Sequence, residues 1–136
     1  MKLVGVGIDV ASITRIRGLL DRYGTRFESR WFDPIEVAQP GSREARFARC
    51  YAVKEAVWKA LPHENSSPLP WRQIVAHPGA GTNQVVVELR GTVAAEASDH
   101  GVGAITASVT VSGDLVIAVA LIEGSSRDGL VGGPPH

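Results

Sequence analysis

The chain has 136 residues, 44% of them hydrophobic, which is enough for one domain with a real core and short for two. Fourteen Lys and Arg balance fourteen Asp and Glu, so overall charge gives no reason to propose a nucleic-acid partner. The single Cys50 excludes an internal disulfide, no apolar run approaches a membrane span, and "MKLVGVGIDV" lacks the long apolar core of a signal peptide. A soluble, cytoplasmic protein is expected.

Residues 3–10 read as a strand in which Val4, Val6, Ile8 and Val10 face one way and Gly5, Gly7 and Asp9 the other. Glycines inside a strand imply that something comes close to the backbone on their side, and Asp9 then faces it. Ser12 or Thr14 is placed to cap a helix whose buried stripe is Ile13, Ile16, Leu20, Tyr23 and Phe27. Gly24 interrupts that pattern and marks a break or kink. Arg15, Arg22, Arg26 and Arg30 line a second stripe on the same helix, within a basic window that also holds Arg17 and Arg43. This stripe is either a solvated face or a docking edge for an acidic partner.

The stretch "DPIEVAQPGSRE" (33–44) suggests a short helical turn and a loop. A long helix is expected over residues 43–61, with Phe47, Tyr51, Val57, Trp58 and Leu61 at helical spacing and Pro62 as its stop. The polar, proline-rich residues 62–70 read as a flexible loop. Strands are expected at 71–76 and 84–89, a short alanine-rich helix at 92–99 ended by Gly101, and a hairpin of strands 104–111 and 115–122 joined by the three residues "SGD". The domain is expected to span 1–124, with 125–136 a disordered tail.

In "YAVKEAVWKAL" (51–61), Glu55 and Lys59 are four residues apart and share a helix face, with Lys54 flanking the acid. Such a pair is commonly a solvated contact. The alternative is that the helix lies against the glycine face of the first strand and brings Glu55 to Asp9. Two carboxylates brought together repel unless one is protonated or a cation joins them, and Mg2+ with substrate phosphates is the usual solution. His63, His77, His100 and His136 have no ligand spacing to one another and read as surface residues. Trp31, Trp58 and Trp71 read as core or interface anchors, and Cys50 as a small apolar residue.

"VGVGIDVASITRI", then "YAVKEAVWKAL" and the ending "SVTVSGDLVIAVALIE", resemble the holo-acyl-carrier-protein synthase family of 4′-phosphopantetheinyl transferases over residues 3–123. The resemblance implies an α+β fold, one antiparallel sheet wrapped on a long helix, assembled as a homotrimer with sites at subunit interfaces. It implies transfer of the phosphopantetheine arm of coenzyme A to a serine of an apo acyl carrier protein. Asp9 and Glu55 would hold Mg2+, with Asp9, Glu55 and Lys59 as the catalytic group. Lys54 and Lys59 would meet the phosphates, and Arg15, with Arg22 and Arg26 behind it, the acidic helix of the carrier.

Several positions depart from the family pattern, among them Gln73 where an acidic residue is common, the "GAGTNQ" turn and the prolonged loop before it; two concern the nucleotide. Val111 stands where the family has a histidine near the nucleotide, and Cys50 where it has an arginine; Arg49, one position away, is turned by about 100° and does not simply replace it. Beside the transferase, two other readings are therefore carried: a carrier-binding pseudoenzyme, and an enzyme repurposed to act on carrier-tethered substrates.

Overall fold

The structure is a computed structural model that describes residues 2–63, 71–81 and 83–125. Most of the expected 62–70 loop and the tail beyond residue 125 lie outside the described residues. Five antiparallel strands form one sheet in the order β1-β5-β4-β3-β2. The strands are β1 (Leu3–Ser12), β2 (Ile74–Pro78), β3 (Gln84–Leu89), β4 (Val102–Ser112) and β5 (Leu115–Gly124). Helices α1 (Ile13–Tyr23), α2 (Thr25–Trp31), α3 (Pro34–Val37) and α4 (Arg43–Ala60) connect β1 to β2, and α5 (Gly91–Asp99) connects β3 to β4.

The long helix α4 lies across the sheet and is the centre of the core. Ala48, Ala52, Ala56 and Ala60 recur every four residues and are buried, so a narrow ridge of small side chains lets backbones approach. What comes close to the glycine face of β1 is this helix. A Cβ on Gly7 would stand 1.9 Å from the Ala56 carbonyl oxygen, and one on Gly5 would stand 2.1 Å from that of Ala60. On β5, Val116, Ala118, Ala120 and Ile122 complete the buried side of the sheet. The opposite side of β1 is left open: Val4, Val6, Ile8 and Val10 are 46–56% exposed. They sit beside β5 through the pairs Val6–Leu121, Ile8–Val119 and Val10–Ile117.

Several local expectations change. The helix after β1 is broken at Gly24, whose φ of +53° is a conformation L side chains avoid. Gly24 closes α1 by donating to the Leu20 carbonyl, and its own carbonyl accepts from Phe27 and Glu28 to start α2. Beyond Leu20 the core is filled by Phe27, so Tyr23, expected on the buried stripe, is exposed. The expected strand at 71–76 begins later, because Trp71–Gln73 form a single 3-10 turn. The last hairpin turns in two residues rather than three: Ser112 pairs with Leu115, and Gly113 takes the positive φ (+59°) needed first in a type II′ connection.

Candidate active site

The site is assembled where β1 runs into α1 beside the middle of α4. The register of β1 turns Asp9 to the α4 side, after the two glycines have let the helix settle on the strand. Asp9, Ser12, Arg15, Tyr51 and Glu55 line one open pocket of about 240 Å3. Lys59, one turn beyond Glu55, donates from Nζ to Asp9 Oδ1 at 2.8 Å and to the Ile8 carbonyl at 3.3 Å. The structure thus brings Asp9, Glu55, Lys59 and Arg15 together.

Burial, and next the charge of Asp9, raise Glu55 above the ordinary carboxyl range. Lys59 is held above the ordinary lysine range, chiefly by its hydrogen bond to Asp9. Burial and then Glu55 raise the Tyr51 phenol. These directions describe two carboxylates that repel across a partly desolvated pocket, with one lysine giving partial compensation. Among the described residues no group of three or more His, Cys, Asp and Glu gathers. A cation here would therefore take two carboxylates and fill its remaining positions from water or phosphate, a donor set that suits Mg2+.

Lys54 is a correction. Expected to meet phosphates, it is fully buried and pairs at 2.7 Å with Glu36, which is also fully buried. Its Nζ also donates to the Trp71 carbonyl at 2.9 Å and to that of Ile74. Burial lowers its pKa, against the opposing pull of Glu36. Spacing alone shows that Lys54 is off the Glu55–Lys59 face, but not that a carboxylate waits there. The partner's signal is "DPIE": Asp33 caps α3, and Glu36 reaches back to the Asp33 N–H in a capping box. Its second oxygen accepts from the Ala76 N–H at 2.9 Å.

From there a polar chain runs outward that sequence reasoning missed. Arg90 donates to Asp33 at 2.6 Å and to Glu88 at 2.9 Å, and Glu88 meets His77 at 2.8 Å. Glu88 is held down to about 2 by Arg90 and then His77. Sequence also gave Asp114 no role beyond a turn. Its carboxylate accepts from Ser12 Oγ at 2.6 Å, Thr14 Oγ1 at 2.7 Å and the Thr14 N–H at 2.9 Å, pinning the β1–α1 junction between Asp9 and Arg15.

Arg22 and Arg26 stay exposed on α1 and α2. Arg26 lines a broad cleft of about 670 Å3 with Leu19, Tyr23, Phe27, Trp31 and Tyr51, so Tyr51 joins that cleft to the carboxylate pocket. Trp31 is stacked between Tyr51 and Trp71, with ring centroids at 4.4 and 4.3 Å, an anchor as expected. His63, read as a surface residue, is half-buried and stacks on Trp58 at 3.7 Å. Cys50 is buried, and burial pushes its thiol up to about 12, the state of a packing residue and not a nucleophile.

A five-stranded antiparallel sheet packed on a central helix is the architecture of a known class. The chain belongs to the 4′-phosphopantetheinyl transferase superfamily, whose profile matches residues 5–120. Within it the relatives are holo-[acyl-carrier-protein] synthases. That of Desulforudis audaxviator (strain MP104C) is 34% identical over 129 residues, spanning 92% of this chain and 96% of its own. The Mycobacterium tuberculosis acyl carrier protein synthase structure superposes with a TM-score of 0.69 at 31% identity, covering 90% of this chain and 98% of the other. A Chronobacterium ammoniagenes synthase, solved as its complex with CoA, gives 0.71 at 28% identity, covering 89% and 97%. No helix among the described residues is long and apolar enough to cross a membrane.

Proposed function

We propose that residues 1–124 form one cytoplasmic unit that transfers the 4′-phosphopantetheine arm of coenzyme A to a serine of an apo acyl carrier protein. The observation that carries this reading is the pocket that Asp9, Glu55 and Arg15 line together, with Lys59 paired to Asp9 and Glu55 raised by burial and by Asp9. Asp9 and Glu55 would hold Mg2+, which when bound supplies charge neutralisation on the pyrophosphate.

The chain's own groups orient the reaction. The Lys59 ammonium, half exposed and already at an anionic oxygen of Asp9, is placed to hold a phosphate oxygen. Glu55, with its raised proton affinity, is the group to take the serine proton. The serine oxygen forms a bond to the phosphorus that carries the pantetheine. The bond from that phosphorus to the bridging oxygen breaks, and adenosine 3′,5′-bisphosphate leaves with the electron pair. Such a displacement needs positioning and charge stabilisation more than covalent help.

Arg15 borders the pocket and, with the exposed Arg22 and Arg26, offers a basic edge to an acidic carrier helix. The open apolar side of β1 supports assembly with further copies of the chain, as a homotrimer, since a contiguous row of half-exposed Val4, Val6, Ile8 and Val10 is unusual on a surface that meets only water. One observation favours a second reading, the carrier-binding pseudoenzyme: neither the buried Cys50 nor the exposed Val111 offers a charged group to a nucleotide. Release of adenosine 3′,5′-bisphosphate from coenzyme A, dependent on apo carrier and on added Mg2+, separates the two. Turnover supports the transferase, and carrier binding without turnover supports the pseudoenzyme.

A further inference from the structure

Tyr51, Glu55 and Lys59 follow one another at four-residue steps on α4, so they share one face at intervals of about 6 Å along the helix axis. Lys59, at one end of this row, is paired with Asp9 on the side proposed for the phosphates, and Glu55 stands in the middle. Tyr51 closes the other end. There the carboxylate pocket meets the broad cleft of α1 and α2, and Tyr51 lines both. Arg26 and Arg30 border that cleft, and no carboxylate is among the residues that line it. The cleft suits an acidic macromolecule, and a group that reaches from it to Glu55 passes Tyr51.

The phenol is rigid and free to donate. Its ring is stacked on Trp31, with centroids at 4.4 Å, and Trp31 on Trp71 at 4.3 Å, so it has little freedom to lose on binding. Tyr51 is half-buried and makes no hydrogen bond among the described residues. Burial and then Glu55 raise the phenol, with Arg15 and Lys59 pulling the other way, so it keeps its proton at neutral pH.

We propose that the Tyr51 hydroxyl donates a hydrogen bond to the serine oxygen of the carrier protein and aims that oxygen at phosphorus. The serine proton goes to Glu55, an electron pair of the serine oxygen forms the bond to phosphorus, and another pair accepts from Tyr51, which keeps its own proton throughout. The assignment rests on the proposed transfer to a carrier serine and adds to it the group that holds the nucleophile.

Calorimetric titration of the full chain with several apo acyl carrier proteins, each also prepared with its acceptor serine changed to alanine, tests this without requiring transfer. Wild type is expected to bind the serine form more tightly than the alanine form by about tenfold or more, the range of a hydrogen bond to a charged group. Tyr51→Phe keeps the ring and breaks no hydrogen bond in the chain. It is expected to narrow that preference by about two- to tenfold, the range of one neutral hydrogen bond, with the affinity for coenzyme A unchanged. Where transfer is measured, Tyr51→Phe is expected to lower kcat and leave the KM for coenzyme A as it is. A wild type that binds both forms alike, or a preference unchanged in Tyr51→Phe, overturns the proposal. So does a loss in Tyr51→Phe that follows coenzyme A and not the serine, which assigns the hydroxyl to a phosphate. Transfer by wild type with an unchanged preference in Tyr51→Phe overturns this assignment alone. A narrowed preference in Tyr51→Phe of a chain that never turns over coenzyme A upholds the contact and overturns the transferase, and a chain that binds no carrier overturns both.

Discussion

Gly7 and Ala56 meet backbone to backbone: the space a Cβ on Gly7 needs is filled by the Ala56 carbonyl oxygen, 1.9 Å from where that carbon would sit. The contact seats α4 on β1, and Asp9 and Glu55 lie two residues and one residue away from it.

Gly7→Ala therefore must push the helix off the strand. Overpacking of a tight core costs about 1–3 kcal/mol, and here the obstructing atom is backbone with no rotamer to yield. Urea unfolding is expected to show that loss, and any folded fraction should bind metal and substrate poorly because Asp9 and Glu55 are moved apart.

Glu55 gives a pH dependence of defined sign. Burial and then Asp9 raise its folded pKa above the ordinary 4.5, so the folded chain holds the proton more tightly than the unfolded chain. The native state is unpenalised below that ordinary value and loses stability as pH rises from it through the raised folded value. Glu55→Gln is thus expected to melt higher than wild type at neutral pH and alike at low pH. Added Mg2+ should raise the wild-type melting temperature and leave the variant nearly unmoved.

The Lys54–Glu36 pair, with both side chains fully buried, makes a different prediction. Removing one member of a buried pair strands the other charge and typically costs about 3–5 kcal/mol. Lys54→Met and Glu36→Gln should each destabilise strongly, and the double variant by less than their sum in a denaturant double-mutant cycle. The KM for coenzyme A should not change in Lys54→Met, since no face of Lys54 reaches solvent.

The open face of β1 predicts assembly. Val6→Lys with Ile8→Lys places two charges in the apolar row beside Leu121 and Val119. Sedimentation is expected to show a trimer for wild type and a monomer for the variant.

Much of this was legible in the sequence, because periodicity reports faces directly. The glycine face of β1, a cap at Ser12 or Thr14 (Ser12 takes it) and the Glu55–Lys59 spacing each foretold a local geometry that the fold keeps. What was not legible depended on long-range pairing. Lys54 reads as a lysine beside Glu55, ready to meet phosphate, until Glu36 arrives from α3, and Asp114 as a turn residue until its hairpin closes on Ser12 and Thr14. Tyr23 shows the limit of the period itself: the stripe continues in sequence, but the helix breaks at Gly24 and Phe27, from α2, takes the buried place.

The central claim, that the Asp9–Glu55 pocket carries coenzyme A-dependent transfer, is tested most directly by intact-mass measurement of apo acyl carrier proteins after incubation with this protein, coenzyme A and Mg2+. The account predicts a carrier heavier by one phosphopantetheine with wild type, and an unchanged carrier with Asp9→Ala and with Glu55→Ala. An unchanged mass with wild type for every carrier tried, or a mass gain that persists in both variants, would contradict it.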